Sequence, residues 1–352
     1  QLSQVLMMPS LSSSPPAAMV HSSGTPSWLQ SSEAPEAISS LSATPLPLQS
    51  GNANRATRNS SSPKRQRGSE HKNDFHTPTQ LPDPDGKPAN MRKPVQVYIL
   101  MGQSNMVGAG KIKGDKEGFL TYAVQKKNKY PYLIDDEGNW TVRKDVRNVR
   151  VMGSGDGAMR LFNNEWMTIK GGNIGPEIGI GHHVGHVTDA PVMILKSCIG
   201  NRALGWDLLP PGSEGFEFTD DKGVTWIHPG YNGSPERWEK GTEPKRIGWY
   251  AGMQYDGDVA RAKEVLAELD KYYPDAKEYE IAGFFWWQGD RDSRSTALSS
   301  RYEKNLVRLI KQLRKDFDAP NAKFVCASLG QTEKGATDGG GKILDAMLAV
   351  DG

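Results

Sequence analysis

A β-rich run, Val95-Gln-Val-Tyr-Ile-Leu-Met101, ends in Gly102-Gln103-Ser104-Asn105-Met106. A strand that stops at a glycine and presents a serine at its carboxyl end is one way α/β hydrolytic proteins display a nucleophile. The turn lifts the hydroxyl clear of the sheet edge, and the N–H groups that open the next helix can aim at the same point. The spelling is not the Gly-x-Ser-x-Gly elbow. Ser104 also has a plainer reading, as the N-cap of that helix. The two readings differ in what they demand elsewhere, because a nucleophilic serine needs an oxyanion hole and a base.

Two further strand ends carry suitable groups. Pro191-Val-Met-Ile-Leu-Lys-Ser197 runs into Cys198-Ile199-Gly200-Asn201-Arg202. A glycine at that place lets backbone approach a ligand and offer its N–H. Ile281-Ala-Gly-Phe-Phe-Trp-Trp287 runs into Gln288-Gly289-Asp290. A neutral side-chain amide at the mouth of a strand can stabilise developing negative charge without itself titrating. All three ends are expected on the carboxyl edge of one sheet, where open α/β sheets bind ligands.

The Gly-Gln-Ser-Asn-Met spelling resembles the first block of the SGNH hydrolase superfamily, and within it the sialate O-acetylesterase-like carbohydrate esterases. Phe285-Trp286-Trp287-Gln288-Gly289-Asp290 resembles the block Trp-x-Gln-Gly-Glu of those esterases, with Asp290 where Glu is common. The resemblance implies that the Gln288 amide donates to the oxyanion. The middle block usually reads Ile-Gly-Gly-Thr, and its glycine N–H is a second donor. Gly200 matches the first glycine and Asn201 replaces the second, so the donor there is Gly200 or Asn201. Asn tolerates a left-handed backbone better than most residues. Ser104 is then the nucleophile, with its own N–H as a further oxyanion donor.

An activated serine normally gives its proton to a histidine. The seven histidines are His21, His71, His76, His182, His183, His186 and His228. In the family resembled, the base sits in a final Asp-x-x-His-like block after the last strand, and no histidine follows His228. The expectation is a C-terminally incomplete form of the domain. The rival is a natural variant with another base, such as His228. His182 and His186 have the spacing of a metal pair, but no His-Glu-x-x-His acid accompanies them, so a packed or surface helix is expected.

The resemblance implies a carbohydrate O-acetylesterase, a serine hydrolase that removes acetyl groups from sugars or polysaccharides without metal or organic cofactor. Trp140, Trp166, Trp206, Trp226, Trp238 and Trp249 are candidates for stacking on sugar rings. Two alternatives stand beside it: a catalytically inactive carbohydrate-binding protein of the same fold, and a lipase- or thioesterase-type SGNH hydrolase. The last calls for a broad apolar acyl site, whereas these loops are rich in Gly, Asp and Trp. The substrate class implies a secreted or periplasmic protein, yet the N-terminus lacks a basic region followed by an apolar core.

The elements that must position these residues follow from pattern. The strands already named, with Lys323-Phe-Val-Cys-Ala-Ser-Leu329 as a fourth, are apolar on both faces, as parallel strands covered by helices are. Helical patterns lie between them at Pro176–Val187, over Tyr255 to Leu269, and from Leu298 to Phe317, with a last helix at 342–350. Strands separated by helices imply right-handed βαβ units and a three-layer α/β/α sandwich with a mainly parallel, flavodoxin-like sheet. Residues 111–170 and 205–250 read as long insertions after strand ends, which shape clefts in such folds.

Composition bounds the rest. The 352 residues carry 43 Lys+Arg against 41 Asp+Glu, a net charge of +2, which gives no electrostatic case for nucleic acid. The run Pro63-Lys-Arg-Gln-Arg67 reads as a solvated charge cluster. Two cysteines, Cys198 and Cys326, are too few for a disulfide framework and read as buried thiols. No apolar stretch approaches the roughly 20 residues that span a bilayer. Residues 1–93 are rich in Ser, Pro, Ala and Thr, with Trp28 and Phe75 the sole aromatics, and read as disordered. The folded domain is expected over 94–352.

Overall fold

A computed structural model of the chain describes residues 88–152 and 159–350. Most of the segment expected to be disordered lies outside these residues. Its described end is tied down: the Asn90 N–H donates to the Asp189 carbonyl at 2.8 Å, and Lys93 pairs with the Asp189 carboxylate.

The central sheet has six strands. They are β1 (Val95–Gly102), β2 (Arg143–Met152), β3 (Arg160–Met167), β4 (Val192–Ser197), β5 (Tyr279–Trp287) and β6 (Lys323–Cys326). Their order across the sheet is β6-β5-β1-β4-β2-β3. Every neighbouring pair is parallel except β2 with β3, which is antiparallel. The long helices are α1 (Glu177–Val187), α2 (Met253–Ala267), α3 (Tyr302–Asp316) and α4 (Gly339–Ala349).

The strand pleat sorts the core into two layers. Val95, Val97, Ile99 and Met101 of β1 face one layer, with Tyr255, Val259, Ala262 and Leu266 of α2, Tyr302, Leu306, Leu309 and Leu313 of α3, and Ile343 of α4. Leu100 faces the other, with Ile178 and Ile180 of α1, Val192, Ile194, Val146, Met106 and Tyr132. The sheet is thus covered on both faces, which is the α/β/α sandwich expected. Among the described residues no helix is long and apolar enough to cross a membrane.

The insertion expected over 111–170 is corrected: it contains β2 and β3, so a third of the sheet comes from it. The other insertion, 205–250, builds a separate antiparallel sheet from Phe216–Thr219, Thr225–His228 and Trp238–Glu239. The last helix starts at Gly339 rather than 342. Asp338 caps it by accepting the Gly341 N–H at 2.8 Å. A Cβ on Gly339 would overlap the Ser293 carbonyl oxygen, so only glycine lets α4 close onto the turn that follows β5.

Candidate active site

β4, β1 and β5 are adjacent in the sheet and parallel, so Ser104, Gly200 and Gln288 follow three neighbouring carboxyl ends. Gly102 pairs with Trp287 and has φ +143°, and a Cβ there would overlap the Trp287 carbonyl. The Gln103 N–H then donates to that same carbonyl at 3.0 Å. β1 is therefore pinned to β5 up to the residue before Ser104.

Ser104 opens the short helix Ser104–Val107 and is exposed. Gln103 holds the N-cap position and no side chain caps the helix, so the capping reading of Ser104 fails. Its hydroxyl is left for another use. The far end of the turn is held from below. Lys196 of β4 donates to the Val107 carbonyl at 2.9 Å and to Glu177 Oε2 at 2.6 Å. Glu177 Oε1 accepts the Gly175 N–H at 3.1 Å, so this buried charge pair is also hydrogen-bonded.

Gln288 is fully buried. Its Nε2 donates to Gln103 Oε1 at 3.2 Å, to the Arg202 carbonyl at 2.8 Å and to Asp292 Oδ2 at 2.5 Å. Its Oε1 accepts the Tyr302 hydroxyl at 2.8 Å. One amide thus links the residue before Ser104, the residue after Asn201, and the turn beyond β5. Its two N–H donors face three protein acceptors, so donation to a substrate oxyanion requires giving one up.

Asp292 is the residue that sequence reasoning did not single out. It is fully buried and accepts the Leu204 N–H at 2.9 Å and the Gly205 N–H at 2.8 Å besides Gln288. Burial pushes its pKa up to about 6, against the pull of those three donors. At neutral pH it is a carboxylate clamping the loop that carries Gly200. Asp290, the acid matched to the family block, points elsewhere: it pairs with Arg294 at 2.5 Å on the surface. Nothing in Gln-Gly-Asp-Arg-Asp distinguishes the buried acid from the exposed one.

Asn201 adopts φ +55°, so the turn keeps its left-handed residue without the second glycine. Gly200 faces open space where a Cβ would stand. Among the described residues neither Gly200 nor Asn201 has a hydrogen-bond partner for its N–H. Next to them, Arg202 lays its guanidinium over Trp249 at 4.7 Å from the ring centroid.

The other tryptophans are mostly engaged in packing. Trp206 is buried with Ala203, Leu209, Ala251 and Leu298. Trp166 meets Tyr273 edge-on and lies under Arg147. Trp226 lies under Arg237 and donates to Asp220 at 2.9 Å. Trp140 packs on the core, and Trp238 is half-buried in the small sheet.

His21, His71 and His76 lie outside the described residues; the contacts seen for the others are packing and backbone contacts. His182 is buried against Tyr132, and burial with the nearby Arg143 lowers its pKa to about 3. His183 bonds the Gly179 carbonyl through Nδ1 at 3.0 Å, and His186 is exposed. His228 is buried and stacked on Phe216 at 4.7 Å, with its pKa lowered to about 4 by burial. Among the described residues, Ser104 Oγ has no hydrogen bond from a histidine or to a carboxylate. Cys198 is buried and its thiol pushed up to about 12, while Cys326 is partly exposed rather than buried.

Residues 226–346 match a family described as carbohydrate esterase, sialic acid-specific acetylesterase. The match spans 121 of the 352 residues. The matched segment takes in Gln288, Asp290 and Asp292 and leaves Ser104 and Gly200 outside it. Among solved structures the chain is similar to a protein from Arabidopsis thaliana, at 19% identity over 73% of this chain and 81% of that one, with TM-score 0.39. It is similar to a carbohydrate acetylesterase from Xanthomonas citri at 13% identity over 72% and 47% of the two chains, with TM-score 0.36. NanS gives 15% identity over 66% and 68%, with TM-score 0.34. No curated protein matches the chain.

Proposed function

We propose that this protein is a carbohydrate O-acetylesterase in which Ser104 attacks the acetyl carbonyl. The observation that carries the reading is the single hydrogen-bonded network from Gln103 through Gln288 to Asp292. It ties an exposed, non-capping serine to a loop whose Gly200 and Asn201 N–H groups have no other partner among the described residues. Attack of Oγ on the carbonyl carbon moves an electron pair onto the carbonyl oxygen. That oxygen receives the N–H of Ser104 and that of Gly200 or Asn201. Gln288 becomes a third donor by releasing Gln103 Oε1, the longest of its three bonds at 3.2 Å. Collapse breaks the ester C–O bond, and the proton that Oγ gave up ends on the departing sugar oxygen; water then adds to the acetyl carbon, a proton returns to Oγ, and acetate leaves.

A second reading has one observation in its favour: no base is hydrogen-bonded to Ser104 among the described residues. The same fold would then bind acetylated carbohydrate without turnover. A fluorophosphonate probe with peptide mapping, run beside acetate release from O-acetylated sugars, separates the two. The esterase reading expects a label on Ser104, acetate release, and loss of both in Ser104→Ala with the fold retained. Sugar binding without label or acetate release would overturn it and leave the binding protein.

A further inference from the structure

Outside the three strand ends lies a second concavity, a cavity of about 130 Å³ between α3 and the 205–230 insertion. Arg301 at the N-cap of α3 and Lys304, Asn305 and Arg308 within it line one side, and Glu214 and Phe216 from the insertion the other. Positions 301, 304, 305 and 308 recur at the spacing of one helix face. Three cations therefore stand on the N-cap and first two turns of a single helix, and like charges at that spacing repel. One carboxylate answers them: Lys304 Nζ lies 2.9 Å from Glu214 Oε2, and both side chains are more than half exposed.

Among the described residues the remaining donors have no hydrogen-bond acceptor. Arg301 lays its guanidinium over Phe216 at 4.8 Å and makes no hydrogen bond from it among the described residues. The Arg308 guanidinium likewise has none. Asn305 is only 8% exposed, yet its side-chain amide has no hydrogen bond among the described residues. It is not sealed away either, because it lines the cavity. A polar side chain that is nine-tenths buried normally finds a partner. Here what remains open to it is the cavity, beside two fork-shaped guanidinium groups suited to planar or tetrahedral oxyanions.

We propose that this cavity is a binding site for an oxyanion group, carboxylate or phosphate, held by Arg301, Arg308 and the Asn305 amide, with Lys304 freed from Glu214 to join them. The Lys304–Glu214 pair is solvent-exposed and weak, so an incoming anion displaces the Glu214 carboxylate. The cavity admits the acid group of a larger molecule or a free small anion. Gly205 forms part of its wall, and its N–H is held by Asp292, so the occupant sits against the loop that leads from Gly200. The site does not depend on Ser104 being a nucleophile.

The test is calorimetric titration of the full chain with inorganic phosphate, with glucuronate, and with uncharged glucose. Binding of phosphate or glucuronate at millimolar concentration, and none of glucose, is expected. Arg301→Gln/Arg308→Gln should weaken the anion at least tenfold, and Glu214→Gln should tighten it severalfold by removing the competing carboxylate. Tighter binding of glucuronate than of phosphate identifies an acid group carried on a sugar, and the reverse a free anion. Should the double variant not fold, the gain in Glu214→Gln decides alone. No anion binding, or binding indifferent to Glu214→Gln and to the arginines, would overturn the site.

Discussion

Gln288 shows how much one buried amide can do. It sits below the surface and touches three strand ends, so its removal should act on positioning as well as on charge. Gln288→Ala is expected to lower kcat by about 10²–10³ with little change in KM. Steady-state kinetics on an acetyl ester check this, and a raised KM at unchanged kcat would make Gln288 a substrate-binding residue. Gly102 is the steric counterpart. Gly102→Ala places a methyl against the Trp287 carbonyl at a φ that L residues rarely adopt, and should cost at least about 2–3 kcal/mol. Urea unfolding measures it, and an unaltered midpoint would mean that β1 and β5 can part there freely. At this scale the sequence was legible where chemistry needs an unusual spelling. Gly102, Ser104 and the glutamine after two tryptophans are visible because few folds require them. Asp292 was not, because a buried carboxylate and a solvated one are the same letter.

The elements were legible where apolar runs are continuous, as in β1, β4 and β5. β2 was hidden by its own charges. Arg143, Arg147 and Arg150 make Arg143–Met152 look like loop, yet Val146, Val149 and Val151 are fully buried. Two of the arginines find hydrogen-bond partners inside: Arg143 bonds Asp145 and the His182 carbonyl, and Arg147 bonds the Tyr272 carbonyl at 2.9 Å while stacking on Trp166; Arg150 lies over the Phe162 ring. Burial of their stems is compatible with charge at their tips. β4 carries a cation of a different kind. Lys196 joins the serine turn to α1 through Glu177, so Lys196→Met should destabilise by about 3–5 kcal/mol, because it strands a buried carboxylate. Adding Glu177→Gln should recover part of that loss. Denaturant midpoints of the single and double variants check the coupling, and strictly additive losses would rule it out.

The whole molecule has an acid weakness built from neutral histidines. His182 and His228 are buried with pKa values near 3 and 4, against 6.5 for a free imidazole. Below pH 6.5 the unfolded chain binds protons that the folded chain refuses. Their contribution is therefore complete above pH 6.5 and is lost as pH falls toward 4 and 3. Asp292 runs the other way: its folded pKa is about 6 against 3.8, so its contribution declines as pH rises between those values. His228→Phe keeps the stack on Phe216 and removes one titration, so its stability should fall less steeply between pH 6.5 and 4. Unfolding free energies measured across that range test this, and an unchanged slope would assign the acid loss elsewhere. The contact between Gly339 and Ser293 has a different sort of consequence, one of timing. Gln103 meets Gln288 across 185 positions of sequence, and the turn beyond Gln288 rests on a helix that begins some fifty residues later still. On the ribosome, the serine turn is made early and its support late. A nascent chain therefore carries the Ser104 turn for some 185 residues before Gln288 can close the network on it, and longer still before α4 can dock on the turn beyond.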